Sequence, residues 1–247
     1  MGLPLGMAEV AKNRTTIRSV WLLPLIAGLL PAIATIAAFL VSVRLGLIPS
    51  CNPFLEGCVS ISRAARHDLP NHIFRALVLP AATLQSLTWL LCAQWLRSID
   101  PVGADPPKGL AVLGVLAGMF FVLYGAFLGS EGDVYQWLRR YGINFYFGFT
   151  YLCMLLSSAR IFRLSQGGWV RVPWHADRAL GVLCILVLAL GVINLLVKYL
   201  VDDEQFVDYL ENVLEWQASA IFTLFFVVLA WLWRRTRFQL RAGYQSS

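Results

Sequence analysis

The chain has 247 residues, 58% of them hydrophobic and only 14% charged, with a formal net charge of +6. Soluble domains carry roughly a quarter charged residues, so an ordinary soluble enzyme and a disordered chain are both excluded. With about 20 apolar residues per crossing, six spans would take half the chain and leave no room for a sizeable soluble domain.

The first apolar run covers 20–43 and contains Pro24 and Pro31. A membrane helix tolerates such prolines where neighbouring helices re-satisfy the freed carbonyls. The run is long, proline-broken and followed by no small-residue cleavage site, so it reads as a retained span and not as a leader. Further runs follow at 72–96, 109–129, 142–158, 179–200 and 213–233. The breaks between them carry turn chemistry: Asp100-Pro101 and Pro106-Pro107, then Gly129 to Gly132, then Gln166 to Gly168, then Val201 to Glu204. The expected fold is an all-α polytopic bundle of six transmembrane helices. A tail at 1–19 leads into a membrane domain at 20–233, and a basic tail follows at 234–247.

The basic residues decide the orientation. Seventeen are Arg and three are Lys (Lys12, Lys108 and Lys198), and they cluster at the ends of apolar runs. With the N-terminus inside, 13 fall on the cytoplasmic side and 7 outside, which predicts that both termini are cytoplasmic. The same placement explains the positive charge through topology and lipid headgroups, and no nucleic-acid-binding motif accompanies it. Arg over Lys points to a bacterial chain, hence to an inner membrane.

Cys92, Cys153 and Cys184 lie within spans and read as small apolar residues. Cys51 and Cys58 flank a short stretch of the first outer loop, where an oxidising compartment would allow them to pair. The sequence is compatible with the disulfide and with two free thiols. No CxxC or other metal-ligand spacing occurs, and none of the three histidines (His67, His72 and His175) sits mid-span, so neither a metal nor a haem cofactor is expected. Walker, GxGxxG and GxSxG patterns are absent as well.

Ionisable groups near the spans carry more information, because lipid makes them costly. Arg75 stands near the outer end of the second span and Lys198 near that of the fifth. Glu204, Asp208, Glu211 and Glu215 step by four, three and four, which places them on one helix face that Asp202 or Asp203 can cap. Glu204 and Asp208 read as a solvated face. Glu215 is followed by Ser219 and Thr223, a polar stripe heading into the bilayer, and calls for a cation at its own depth; Arg75, Arg139 and Arg140 are available. Glu131, Asp133, Arg139, Arg140 and Asn144 crowd a short outer hairpin with several aromatics, which an interfacial belt also explains. Arg75 and Glu215 are expected to belong to one outer-leaflet polar site.

Residues 51–84 hold Ile61-Ser62, an acidic turn, Pro70 and Phe74 opening the second span, and Glu215-Trp216 leads the last one. This pattern resembles the FRAG/DRAM/SFK-type membrane family, which includes the post-GPI-attachment lipid-remodelling factor and the damage-regulated autophagy modulators. The resemblance runs over residues 18–238. Arg63 departs from it, standing where the family has Asp, and a family His near the fourth span has no counterpart between Arg140 and Asn144. The resemblance implies six spans with both termini inside and an outward-facing role in binding, remodelling or arranging lipids.

Three functions compete. In the first, membrane lipids are the partner: Arg75, Arg139 and Arg140 hold phosphate, Glu215 orients them or serves as the candidate catalytic acid/base, and Ser62, His72 and Asn144 complete the site. In the second, the chain is a non-catalytic module that stabilises or regulates a membrane protein partner. The third, a transporter, lacks inverted repeats and mid-span charges.

Overall fold

Apolar runs separated by glycine and acidic breaks leave the backbone one way to satisfy its hydrogen bonds in lipid, the α-helix. A computed structural model of the chain describes residues 15–17, 20–100, 109–169 and 175–242. The outer parts of both tails (1–14, 18–19 and 243–247), the Pro101 and Pro106-Pro107 break and the stretch 170–174 lie outside the described residues. Elements in chain order are β1 (Thr15–Ile17), α1 (Leu22–Arg44), α2 (Ile61–Ala64), α3 (Asp68–Ile99), α4 (Leu110–Phe127), α5 (Asp133–Gln166), α6 (Ala176–Leu200), α7 (Glu204–Arg235) and β2 (Leu240–Ala242). Among the described residues, all of these helices except α2 are long and apolar enough to cross a membrane. Apart from the short strands β1 and β2, the described chain is helical, and it is an integral membrane protein.

Three helices outrun their apolar cores. The α3 helix starts at Asp68 and α5 at Asp133, each with its acid in the first turn, where the helix dipole favours it. The segment read from sequence as an outer hairpin is therefore the first two turns of α5. The α7 helix starts at Glu204, capped by Asp203, whose carboxylate accepts from the N–H groups of Gln205 (3.0 Å) and Phe206 (3.1 Å).

The membrane helices form a ring in chain order. The α3 helix packs on α1 and α4, α5 on α4 and α6, and α7 on α6 and back on α1. Closure of α1 on α7 is tight: a Cβ built on Gly28 would lie 2.5 Å from Phe226 Cβ. Antiparallel pairing of β1 with β2, with Thr15 opposite Ala242, puts both tails at one end of the ring. The other end, the loop end, carries loop 1 (45–67) and the turns at 128–132 and 201–203.

The ring interior divides by depth. Toward the tails it is filled by large aromatics, with Trp89 5.3 Å from Phe226 and Trp95 6.3 Å from Trp233. Toward the loop end the core runs through Ala34, Ala38, Phe74, Val78, Phe121, Tyr124, Tyr146 and Trp216.

Candidate functional site

The loop half leaves a cavity of about 40 Å³ among aromatic, small and polar side chains. Each water in such a volume needs roughly 10–15 Å³, so a few waters or one small polar group fit. Five membrane helices line it. From α7 come Glu215, Ser219 and Thr223, one turn apart on one wall; from α3 Phe74, Val78 and Gln85; from α4 and α5 the phenols Tyr124 and Tyr146; and from α1 Gly28, Pro31 and Thr35. The α6 helix does not reach it.

Its polar groups turn mostly onto backbone carbonyls, and only Gln85 and Tyr146 come within reach of each other. Thr35 and Thr223 bond back to Ala32 O (2.9 Å) and Ser219 O (3.0 Å), the usual outlet for a hydroxyl inside a helix. Gln85, only 3% exposed, donates to Ala27 O at 3.1 Å, and its Oε1 has no hydrogen-bond donor by geometry, though the Tyr146 phenol lies within reach of the amide. A buried acceptor left open costs on the order of 1–3 kcal/mol. Glu215 is half-buried at the loop-end rim, with its carboxyl on the Ile61 backbone N–H and facing the Arg63 charge. A carboxyl above a line of hydroxyls can take and return a proton at a hydroxyl or ester oxygen held beneath it. Among the described residues no three His, Cys, Asp or Glu side chains converge as metal ligands.

Loop 1 roofs the cavity, and side chains from the helices hold it through its backbone carbonyls. Asn212 donates to Gly57 O (2.8 Å), Trp216 to Val59 O (2.9 Å), Gln217 to Phe54 O (3.3 Å), Ser42 to Ala64 O (2.6 Å) and Asn71 to Ala65 O (3.0 Å). Gly57 has φ +61°, and a Cβ there would collide with the Tyr209 carbonyl oxygen. Cys51 and Cys58 are joined by a disulfide, closing the tip of the same loop. Outside the membrane segment, Arg63 pairs with Asp208 at 2.5 Å, and that hydrogen bond holds its guanidinium above the ordinary arginine value. Lys198 pairs with Glu211.

The residues picked out in the sequence are not gathered in one place. Glu215, Ser219 and Thr223 share the cavity wall. Arg75 does not line the cavity and makes no recorded ion pair with Glu215, whose cationic neighbour is Arg63 instead. The reason is azimuth: Phe74 and Val78 point to the axis, and Arg75 is turned about 100° away from Phe74 around the helix. Ser62 is half-buried on α2, with its Oγ 3.2 Å from Ser60 Oγ. His72 is exposed, and its Nδ1 meets Asp68 O at 2.8 Å. Arg140 and Asn144 are exposed on α5, whereas Arg139 is half-buried and donates to Ser130 O at 2.6 Å. Gln85, Tyr124 and Tyr146 escaped the sequence reading. Gln85 had a signal, as the one amide in the middle of an apolar run, whereas the two tyrosines look like belt residues.

No family model matches this chain, and neither a curated protein nor a solved structure matches it.

Proposed function

We propose that the chain is a lipid-handling membrane protein whose cavity receives a small polar part of a lipid while the acyl chains stay in the bilayer. The carrying observation is the convergence of Glu215, Ser219, Thr223, Gln85, Tyr124 and Tyr146 on one void inside an apolar ring. In lipid each polar group is expensive unless it serves a ligand or a partner, and an apolar filling like that of the tail half was available. Pockets that combine an apolar wall with a few convergent polar groups are typical ligand sites. With the 13:7 basic bias read as cytoplasmic tails, the cavity opens toward the outer leaflet, beneath a disulfide-bearing loop suited to an oxidising side. A bacterial inner membrane and the FRAG/DRAM/SFK-type resemblance accord with this role, and Glu215 is its candidate acid/base.

The test is to fill the void. Native mass spectrometry of the purified full chain should find co-purified lipid, and Ser219→Trp should lose it while circular dichroism and a monodisperse elution profile stay unchanged. Undiminished lipid on folded Ser219→Trp would overturn the reading.

The second reading, a module that braces a protein partner, is favoured by α6. That helix stands at the ring's edge with Ile185, Leu195 and Tyr199 66%, 68% and 86% exposed, a face that lipid covers equally well.

A further inference from the structure

The turn between α4 and α5 gathers two arginines. The Arg66 backbone carbonyl presses on Gly129, where a Cβ would stand 2.7 Å from its oxygen, and Arg139 donates to the carbonyl of the next residue, Ser130, at 2.6 Å. Asn71 staples the same place, bonding both Ala65 O (3.0 Å) and Leu128 O (2.9 Å). Both arginines are half-buried. They lie close enough to act on each other's charge and on the hydroxyl of Tyr124, which also feels Glu215 from the cavity side.

Neither arginine pairs with a carboxylate among the described residues, unlike Arg63 with Asp208, Arg160 with Asp100 and Lys198 with Glu211. Glu131 and Asp133, which flank the turn, are exposed and pair with neither. The Nε of Arg66 is buried with no hydrogen-bond acceptor. Two like charges held together, one with a sealed and idle donor, are an unfavourable arrangement for the protein alone. An anion between them removes the like-charge penalty, and the terminal N–H groups of a guanidinium match phosphate oxygens two at a time. The exposed rings of Tyr135, Trp137 and Tyr141 on the first two turns of α5 set the level of this turn at the membrane–water boundary, where lipid phosphates lie.

We propose that Arg66 and Arg139 form a cradle for the phosphate of an anionic phospholipid at the loop end, beside the cavity. This rests on the lipid-handling reading and adds the headgroup class to it.

The experiment measures lipid retention by the full chain in neutral detergent, using dioleoyl phosphatidylglycerol, dioleoylglycerol (which has the same chains and no phosphate) and inorganic phosphate as probes. Wild type should retain phosphatidylglycerol over dioleoylglycerol. Arg66→Gln and Arg139→Gln should each lower that preference roughly tenfold or more, the worth of a charge-assisted hydrogen bond, while Arg44→Gln, at an exposed arginine on the loop end of α1, leaves it intact. Arg66→Lys keeps the charge and replaces Nε by a methylene. It should fold and still lose part of the preference, so the proposal remains testable if the glutamine variants misfold. Full preference in folded Arg66→Lys and Arg139→Gln would overturn it. Displacement of the lipid by millimolar inorganic phosphate would assign the cradle to free anions and overturn the lipid source. If Ser219→Trp sheds lipid while the arginine variants keep their preference, the cavity reading stands and the cradle falls. The reverse pattern leaves the cradle and removes the cavity.

Discussion

The two halves of the ring interior solve one packing problem in opposite ways. Six helices in a ring leave a wider axis than four, and something large has to occupy it. In the tail half Trp89, Trp95, Phe225, Phe226 and Trp233 fill it, all of them buried. Some polar groups there are paired or turned onto their own helices: Ser157 bonds Cys153 O and Thr88 bonds Leu84 O, both at 2.7 Å, and Asp100 meets Arg160, while Nε1 of Trp89 and Trp233 finds no acceptor among the described residues. In the loop half Ala34 and Ala38 share the core with Phe74, Phe121, Tyr124, Tyr146 and Trp216, a void remains, and polar side chains reach across sequence to hold the roof. Aromatic packing closes one half, and in the other a chamber with polar groups on its wall remains among the aromatics.

The largest effect that would break this contrast is removal of an aromatic. Trp216→Ala and Trp233→Ala should each cost about 3–5 kcal/mol, measured by thermal unfolding in detergent. Only Trp216→Ala should also expose loop 1 to protease, because its ring carries Phe54 at 5.3 Å and its N–H holds Val59 O. Equal protease resistance in the two variants would show that the roof does not depend on that residue.

Opening the Cys51–Cys58 bond comes next. It closes a loop with a sequence separation of seven, which in the chain-entropy account is worth about 2–3 kcal/mol. Reduction should lower the melting temperature of wild type and leave Cys51→Ser/Cys58→Ser unmoved. A reductant-insensitive wild type would count against a role in stability.

A finer probe swaps each tryptophan for phenylalanine. Trp233 Nε1 has no acceptor, whereas Trp216 Nε1 donates at 2.9 Å. Trp216→Phe should therefore be the more costly change by about 1–2 kcal/mol, since it leaves a carbonyl unpaired. The smallest effect belongs to Arg63→Ala. Its pair with Asp208 is half exposed, and such pairs are worth under about 1 kcal/mol. A larger loss in the same unfolding assay would mean that Arg63 supports Glu215 as well.

How much of this was legible follows from what each signal measures. Apolar runs report where lipid is, so the six spans were readable, but helix ends were not. Nothing in 133–141 or 204–212 breaks a helix, and α5 and α7 continue past the bilayer. Residue counting reports depth, and it set Arg75 and Glu215 near one level. It says nothing of rotation about the axis, which packing decides. The spacing of Glu215, Ser219 and Thr223 carries both depth and azimuth, which is why that wall could be read. Arg66 and Arg139 are brought together by a glycine turn 63 residues after one and ten before the other, a conjunction no local pattern records.

The pairing of β1 with β2 has a consequence for biosynthesis. The strand at Thr15–Ile17 is translated long before its partner at Leu240–Ala242, and α1 enters the membrane with the Gly28 notch that only Phe226 can fill. A nascent chain carrying five spans therefore has an open ring, an unroofed chamber and a loop with no Asn212 or Trp216 to hold it. The chamber is complete only when α7 brings Glu215, Ser219 and Thr223 to its wall.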